Sequence, residues 1–311
     1  MIEARKLTKR YGSLNVVDAL SFNVGPGEVL GFLGPNGAGK TTTMRMLVGF
    51  VPPTSGNVTV NGLSVDEQPT EVKSIIGYLP EGAPSYGEMT PLEFLNFIAD
   101  IRKLTGHNKT SRISDVIERL HLEPVLGQTI DTLSKGFKRR VGFAQAILHD
   151  PPVLIMDEPT DGLDPNQKHE VHQLIKDMAA DKIIVISTHI LEEVDAVCSR
   201  AVIISRGHIV ADDTPDALMR RSRFHNAVTV RLQPSGNVHD VKEMLKRLNG
   251  VREVEANRHA RSITAFPRDG QAILLEISQL AAEHSWPLEE LHLESGRFDE
   301  VFRSITQQAV S

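Results

Sequence analysis

A run of residues near the start of the chain places glycines, a lysine and a threonine in the order G-x-x-x-x-G-K-T, from Gly34 to Thr41. A polyphosphate needs several backbone N–H donors that converge on it, and glycines let the backbone approach that closely. A helix starting at Lys40 would add the positive end of its dipole. The pattern predicts a phosphate-binding loop in which Lys40 bridges the β- and γ-phosphates and the Thr41 hydroxyl binds Mg²⁺. The predicted nucleotide contacts in this segment are Gly34, Pro35, Asn36, Gly37, Ala38, Gly39, Lys40, Thr41 and Thr42.

Two other apolar segments end in side chains that could act on a bound phosphate. Val153–Met156 is followed directly by Asp157 and Glu158, and the run Ile183–Ile186 leads through a serine and a threonine to His189. Ligands of an open parallel sheet collect at the carboxyl ends of its strands, so these groups would meet at one edge. Asp157 could then bind Mg²⁺ and Glu158 accept a proton from the attacking water. Taken alone, the adjacent carboxylates could equally be a solvated pair, and a lone histidine is more often structural than catalytic. Convergence on one rim favours catalytic roles for Glu158 and His189.

The elements around these groups alternate between strands and helices through the first ~220 residues, which is typical of a parallel sheet covered by helices. Thr90 and Pro91 have the types expected for a helix cap and a first helical residue. Arg206 and Gly207 would connect the two strands of an edge hairpin. The predicted segments are strand Glu28–Leu33, helix Lys40–Gly49, helix Pro91–Leu104, helix Ile113–Leu122, strands Val153–Met156 and Ile183–Ile186, and hairpin strands Ala201–Ser205 and His208–Ala211.

The pattern changes after about Arg223, where strand-like and helix-like segments follow in the order βαββαβ, which suggests a small α+β unit of ferredoxin-like type. We therefore predict two domains, residues 1–222 and 223–311, joined by the linker Arg220–Arg223. The predicted segments are strand Ala227–Leu232, helix Val238–Leu248, strands Val251–Ala256 and Ser262–Phe266, helix Ala272–His284, strand Leu288–Leu293 and a terminal helix from Phe298.

Composition narrows the class of protein. The 311 residues carry a formal net charge of −6, a single cysteine and 40% apolar residues. This length suits two domains, and the mildly acidic balance disfavours a nucleic-acid partner. One cysteine excludes an internal disulfide framework and fits a reducing compartment. The first residues lack the pattern of a signal peptide, and no run approaches the ~20 apolar residues of a membrane-spanning helix. We therefore expect a cytoplasmic protein.

Further motifs resemble those of the ATP-binding-cassette (ABC) ATPases. Leu133–Phe137 is similar to the signature loop of that family and lies upstream of Asp157, as in the family. Pro159–Asp164 is similar to the loop that crosses the family's dimer interface. His189 matches the switch histidine that senses the γ-phosphate, and Tyr11 lies where an aromatic residue stacks on adenine. The resemblance implies an α/β P-loop NTPase of the ABC type that hydrolyses Mg-ATP, with a mainly parallel sheet, a β-subdomain and a helical subdomain.

The resemblance, which covers Met1 to Asp216, also implies a working unit larger than one chain. In the family two cassettes close head to tail on ATP, so Ser134 and the Gly136 backbone would contact a γ-phosphate held by a second copy or a similar ATPase subunit. Such ATPases drive an integral membrane permease, which implies a peripheral position on the cytoplasmic face of the cell membrane. Phe298–Phe302 resembles a segment common in the ATPases of exporters, so export is expected.

Three positions depart from the family pattern. Lys135 and Phe137 replace the glycine and the glutamine that are usual in the signature loop. Glu81 lies where the family has the glutamine that links the ATP site to the transporter, and its carboxylate joins Thr41 and Asp157 as a predicted Mg²⁺ ligand. The basic run Lys138–Arg140, which follows the signature loop, is expected to be a solvated face rather than a phosphate or membrane-surface site.

The main alternative function is that of a soluble ABC-type ATPase acting on ribosomes or DNA. Members of that kind carry two cassettes joined by a charged linker, or interrupt the cassette with a long coiled coil or zinc modules, and this sequence has none of these features. A degenerate cassette that binds ATP without hydrolysing it is disfavoured because Lys40, Asp157, Glu158 and His189 are all present.

Overall fold

The chain divides into two units, Met1–Pro215 and Asp216–Ser311. The computed structural model describes residues 1–82, 86–257 and 259–308, with the backbone alone for residues 307 and 308. The domain boundary expected from the sequence, after residue 222, remains a prediction.

A six-stranded sheet lies at the centre of the first unit. Its strands, in spatial order, are β10 (His208–Asp213), β9 (Arg200–Ser205), β3 (Val29–Leu33), β8 (Ile183–Thr188), β7 (Val153–Asp157) and β6 (Ile76–Leu79). All neighbours are parallel except the antiparallel pair β9 and β10, which forms the predicted hairpin at one edge. Strands β3, β7 and β8 are buried along their whole length because both faces of the sheet are covered. The predicted parallel sheet is confirmed.

An antiparallel sheet forms the second layer of strands in the first unit. Its strands, in spatial order, are β2 (Leu14–Val24), β1 (Ile2–Tyr11), β4 (Ser55–Val60) and β5 (Leu63–Ser64). Ile2 and Ala4 alternate with exposed or half-buried neighbours, so one face of β1 is apolar. The rings of Phe22 and Phe32, with centroids 5.3 Å apart, join this sheet to β3.

Helices cover the parallel sheet, and residues at their ends determine where they begin and stop. The helices of this unit are α1 (Lys40–Leu47), α2 (Pro69–Ile75), α3 (Pro91–Ile101), α4 (Gly106–Arg119), α5 (Lys135–Ile147), α6 (Pro165–Ala179) and α7 (Leu191–Val197), and α8 (Pro215–Met219) spans the boundary of the units. The Thr90 hydroxyl accepts a hydrogen bond from the Glu93 N–H, which confirms the predicted cap of α3. Helix α1 ends at Leu47, before the predicted Gly49, whose φ of +71° does not continue a helix.

The core of the first unit has two parts, one on each face of the parallel sheet. Leu154 and Met156 of β7 belong to the part built with α3 to α6, whereas Val153 and Ile155 belong to the part built with α1 and the antiparallel sheet. Successive side chains of a strand point to opposite faces, so β7 is held from both sides. Asp157, the last residue of β7, is therefore held in position by a buried and closely packed strand.

The second unit is built on its own antiparallel sheet. Its strands, in spatial order, are β12 (Val251–Asn257), β13 (Ser262–Pro267), β11 (Val228–Leu232) and β14 (Leu288–Leu293). The helices are α9 (Val238–Leu245), α10 (Leu274–Glu283) and α11 (Phe298–Gln308). A separate apolar core joins the sheet to α9 and α10 through residues such as Val230, Leu245 and Ile277. The chain order of the elements is the predicted βαββαβ followed by a terminal helix.

Candidate nucleotide site

The phosphate-binding loop connects the end of β3 to the start of α1, as the sequence predicts. A Cβ added at Gly34 would lie 2.5 Å from the carbonyl oxygen of Ile204. Gly39 has a φ of +106°, and a Cβ there would lie 2.6 Å from the carbonyl oxygen of Val16. Contacts that short displace backbone, so a larger residue at either position would open the loop. Both glycines are therefore required by the packing of the loop against neighbouring strands.

Lys40 is the first residue of α1, and its ammonium lies inside the loop with 6% of the residue exposed. Its Nζ donates to the Gly34 carbonyl at 2.7 Å and to the Pro35 carbonyl at 3.4 Å, and it lies 3.8 Å from Oε1 of Glu158. Burial lowers the pKa of Lys40, and the carboxylates of Glu158, Asp157 and Glu81 act in the opposite direction. The loop thus holds a cation at its centre before any phosphate binds.

Glu158 follows β7 and lies between Lys40 and His189. Its φ is +51°, an uncommon value for a residue with a side chain and one that occurs at functional turns. Its Oε2 is 2.9 Å from Nδ1 of His189, and its backbone N–H donates to the Ser187 carbonyl at 3.0 Å. Burial raises the pKa of Glu158, while the hydrogen bond from His189 and the charge of Lys40 oppose that rise. The geometry suits a carboxylate that can take up a proton.

Asp157 is fully buried at the carboxyl end of β7. The hydroxyl of Ser187, on the neighbouring strand β8, donates to its Oδ1. Its Oδ2 is buried and has no hydrogen-bond partner among the residues that the structure describes. An uncompensated carboxylate oxygen is costly unless a cation is present, and carboxylate and hydroxyl oxygens are ligands that Mg²⁺ prefers. The donor set at this edge therefore fits Mg²⁺.

A cavity of about 290 Å³ opens over the phosphate-binding loop. It is lined by Val16, Asn36, Gly37, Gly39, Lys40, Thr41, Thr42, Glu81 and Glu158. All of these except Val16 are residues that the sequence predicts for the site, and they come from the loop, from the segment after β6 and from the end of β7. The fold thus brings the phosphate loop, Glu81 and Glu158 to one opening.

Other predicted site residues lie outside the described lining of this cavity. Tyr11 ends β1 with 52% of its surface exposed, and the ammonium of Lys9 lies 5.2 Å from its ring centroid. Ser134 is exposed at the start of α5, where its hydroxyl accepts the N–H of Phe137. Gly136 is buried, and a Cβ there would lie 2.7 Å from Oε1 of Gln167. Adenine stacking by Tyr11 and phosphate contacts by Ser134 and Gly136 remain predictions.

The expected solvated face at Lys138–Arg140 is wrong for Arg139, which is 5% exposed. Its guanidinium donates to the backbone carbonyls of Asp157 and Glu158, to that of Pro159 at 3.2 Å and to that of Pro80 at 2.8 Å. One buried cation thus ties α5 to the segments that follow β7 and β6. The signal was available in the sequence: Gly136, Arg139 and Phe143 share the i, i+3, i+7 spacing of one buried helix face.

A second cavity, of about 690 Å³, lies in the first unit beside β6 and is bordered by α3. Its lining includes the exposed ring of Phe50 and the exposed side chain of Ile101. The Tyr78 hydroxyl and Nδ1 of His149 are buried in its lining, and Nδ1 of His149 has no hydrogen-bond partner among the described residues. Burial raises the pKa of Tyr78 to about 12 and lowers that of His149 to about 4, so both are uncharged at neutral pH. We call this cavity the β6 groove.

None of the helices within the described part of the chain is both long enough and apolar enough to cross a membrane.

Comparison with known proteins places these features in a family. The family model described as ABC transporter matches residues 17–161. The chain is 32% identical over 307 residues to the linearmycin resistance ATP-binding protein LnrL of Bacillus subtilis (strain 168), covering 98% of each protein. It is 37% identical over 219 residues to the Nod factor export ATP-binding protein I of Paraburkholderia xenovorans (strain LB400), covering 70% of this chain and 72% of that protein.

A solved structure shows the same fold. It is the dimeric post-hydrolysis state of the ATP-binding cassette MJ0796 bound to ADP and Pi, which matches with a TM-score of 0.65 at 22% identity. The match covers 69% of this chain and 99% of that one. The cassette fold therefore accounts for most of the chain and leaves a remainder without a counterpart in that structure.

Proposed function

This chain belongs to the ABC transporter family as an ATP-binding subunit that hydrolyses ATP, and on that premise we propose which residues carry out the hydrolysis and what the subunit drives. Glu158 accepts a proton from the attacking water, and His189 holds the Glu158 carboxylate and faces the γ-phosphate. Lys40 and the backbone of Gly34–Thr41 bind the β- and γ-phosphates. The observation that carries this proposal is the position of Glu158, 3.8 Å from Nζ of Lys40 and 2.9 Å from Nδ1 of His189.

Mg²⁺ fits the same edge of the sheet. The Thr41 hydroxyl, the Asp157 carboxylate and Glu81 would hold it, and the unpartnered Oδ2 of Asp157 supports this assignment. The ion would supply positive charge to neutralise the phosphates. Glu81 is exposed and lines the cavity, so its carboxylate can turn toward a cation that the other two residues hold.

We further propose that the active unit contains two such subunits. Ser134 and Gly136 would reach the γ-phosphate bound by the loop of the second copy, which agrees with the exposed position of Ser134 at the start of α5. The related cassette cited above is dimeric. A homodimer or a pair with a similar ATPase subunit would complete each site, and Tyr11 would cover the adenine.

The subunit serves an ABC exporter, in keeping with relatives that act in linearmycin resistance and Nod factor export. We propose that an integral membrane permease docks in the β6 groove, because the exposed side chains of Phe50 and Ile101 at its border offer apolar contact area. The subunit would then lie on the cytoplasmic face of the cell membrane. Nucleic acid is not expected as a partner.

The C-terminal unit is proposed to be a ferredoxin-like domain covering residues 223–311. The strand order β12, β13, β11, β14 and the helices α9 and α10 between the strands support this proposal, since consecutive βαβ crossovers interleave in that way.

Replacement of Glu158 tests the catalytic assignment. Glu158→Gln should keep ATP binding and lower turnover by about 10²–10⁴-fold, the usual contribution of a general base. Glu192→Gln, an exposed glutamate on α7, is the matched control and should hydrolyse ATP at the wild-type rate. Turnover and ATP affinity would be measured on the same preparations. Near-normal turnover in Glu158→Gln would remove Glu158 from this role.

Co-purification from a detergent extract tests the membrane partner. The wild-type chain should bring down an integral membrane protein, and Phe50→Glu should lose it while ATP binding is retained. Leu275→Glu, which changes an apolar residue of α10 that is 70% exposed, is the control and should retain the partner. Equal recovery with both variants would place the docking surface elsewhere. Recovery of ribosomes or DNA instead would contradict the transporter assignment for this subunit.

A further inference from the structure

One buried carboxylate connects the loop that carries Glu158 to the loop that carries His189. Glu193 lies on α7 with 4% of the residue exposed. Its Oε1 accepts a hydrogen bond from the hydroxyl of Thr160, in the segment after β7, and its Oε2 accepts one from the hydroxyl of Thr188 at 2.7 Å. Both threonines are buried, with 1% and 0% exposed respectively.

Each threonine is close in sequence to a proposed catalytic residue. Thr160 lies two residues after Glu158, within a turn in which the Asp161 N–H donates to the Glu158 carbonyl at 3.1 Å. Thr188 immediately precedes His189, and its hydroxyl also accepts the N–H of Ile190 at 3.0 Å. The Glu193 side chain therefore holds the backbone segments that carry Glu158 and His189.

The charge of Glu193 is balanced locally. Nζ of Lys168, on α6, lies 3.5 Å from its Oε1. His172, also on α6, has a pKa lowered mainly by burial, which favours the neutral imidazole beside this carboxylate. The carboxylate thus has two hydroxyl donors and one ammonium around it. Its position is thus set by three elements: the segment after β7, the end of β8 and α6.

We propose that Glu193 is a positioning residue that sets the distance between Glu158 and His189. The proposal rests on the catalytic roles given above to those two residues. The Glu158–His189 contact of 2.9 Å spans two separate loops, and a shift of one loop against the other would break it. Loss of Glu193 should therefore impair the proton transfer more than the binding of ATP, because Lys40 and the phosphate loop make no use of this link.

The test compares neighbouring glutamates. Glu193→Gln keeps the shape of the side chain, but its amide nitrogen cannot accept a hydrogen bond, so one of the two threonine hydroxyls loses its acceptor. Glu192→Gln is the exposed control. Glu193→Gln should lower kcat by about 10–100-fold, the range found for groups that orient metal-binding side chains, with the Kd for ATP within about threefold of wild type. Urea unfolding would be measured alongside. A less stable protein whose folded fraction retains wild-type kcat would overturn the proposal, since a purely structural role predicts that result.

Two further variants keep the test decisive if Glu193→Gln does not fold. Thr160→Val and Thr188→Val each remove one hydroxyl donor with little change of shape, and each should lower kcat without a matching loss of ATP affinity. Combining Thr160→Val with Glu193→Gln should cost less than the sum of the two effects, because both remove the same contact. Wild-type kcat in both threonine variants would overturn the proposal.

Glu158→Gln, assayed in parallel, separates this proposal from the catalytic assignment. If Glu158→Gln is inactive and Glu193→Gln is fully active, only the positioning role is wrong. If Glu158→Gln is active, the assignment of Glu158 is wrong, and the positioning role falls with it.

Discussion

The catalytic rim and the signature segment of the first unit are built in opposite ways. The rim, which we define as Lys40, Asp157, Glu158 and His189, is hydrogen-bonded within the chain, and all of its members except the exposed His189 are buried. The signature segment, Leu133–Phe137, presents Ser134 to solvent. A rim of this kind is preorganised for a phosphate, whereas the signature segment has no described contact with the nucleotide cavity of its own chain. The difference agrees with the proposal that one chain supplies halves of two different sites.

Paired lysine variants should show the largest difference between the two regions. Lys40→Ala removes the buried ammonium of the rim and should lower turnover by about 10²–10³-fold, the usual effect of losing one charge-stabilising donor. Lys135→Ala in the signature segment removes an exposed ion pair with Asp161, at 2.8 Å, and should leave the ATP affinity of the single chain unchanged. ATP titration and steady-state hydrolysis check both. Wild-type turnover in Lys40→Ala, or a loss of ATP affinity in Lys135→Ala, would contradict the contrast.

The adjacent arginines of α5 should differ in their effect on stability. Arg139→Gln leaves several buried carbonyls without a donor, and we expect a loss of about 3 kcal/mol in the free energy of unfolding. Arg140→Gln removes a partly exposed ion pair with Glu170, at 2.7 Å, and should cost less than about 1 kcal/mol. Urea denaturation of both variants measures the difference. Equal midpoints would mean that the Arg139 contacts do not stabilise the rim.

Binding of the nucleotide to a single chain should not depend on the signature segment. At ~100 times its dissociation constant, Mg-ATP should stabilise the fold by about 2.7 kcal/mol if only the native state binds it. Ser134→Ala should show the same stabilisation at a concentration where the chain is monomeric, since we propose that Ser134 contacts a phosphate on the second copy. Thermal unfolding with and without Mg-ATP provides the measurement. A stabilisation lost in Ser134→Ala would place the serine in the site of its own chain.

The smallest expected effect is a pH dependence at Glu158. Burial raises the pKa of this carboxyl above its ordinary value of 4.5, so the folded state binds the proton more tightly than the unfolded state. Stability conferred by the protonated form is lost as the pH rises through the raised pKa. Glu158→Gln should therefore match wild type at low pH and be the more stable protein at pH 7.

Turnover should depend on the same carboxyl group, but in the opposite direction with pH. A general base acts as the carboxylate, so kcat of the wild type should fall as the pH drops through the raised pKa of Glu158. Urea unfolding and kcat would be recorded over one pH series. Greater stability of the wild type than of Glu158→Gln at pH 7 would contradict the pKa direction.

Much of the rim could be predicted from sequence because its signals are local. The phosphate loop is contiguous, and Asp157, Glu158 and His189 each follow an uninterrupted apolar run that becomes a buried strand. The antiparallel sheet was not located strand by strand, because β1 and β2 are half-exposed, irregular in register and rich in polar residues. Their pairing depends on contacts with distant segments, which the alternation of side chains alone does not specify.

The supporting residues of the rim were missed for a related reason. Arg139 belongs to a basic run that the sequence predicts to be a solvated face, and no sequence pattern assigned a role to Glu193. Their roles depend on where the carbonyls of Asp157 and Glu158 and the hydroxyls of Thr160 and Thr188 point, which only the packed structure defines. A charged residue at a buried position of a helix face is the sequence signal that would have identified Arg139.

The central claim, that each site is completed by a second copy, is tested most directly by sedimentation of Glu158→Gln with and without Mg-ATP. Because this variant should bind ATP without hydrolysing it, the closed dimer should accumulate. We expect a monomer without nucleotide and a dimer with saturating Mg-ATP. Adding Ser134→Arg, which places a large side chain in the signature segment, should abolish the dimer and leave ATP binding intact. A Glu158→Gln chain that binds ATP yet stays monomeric, or a double variant that dimerises equally well, would contradict the claim.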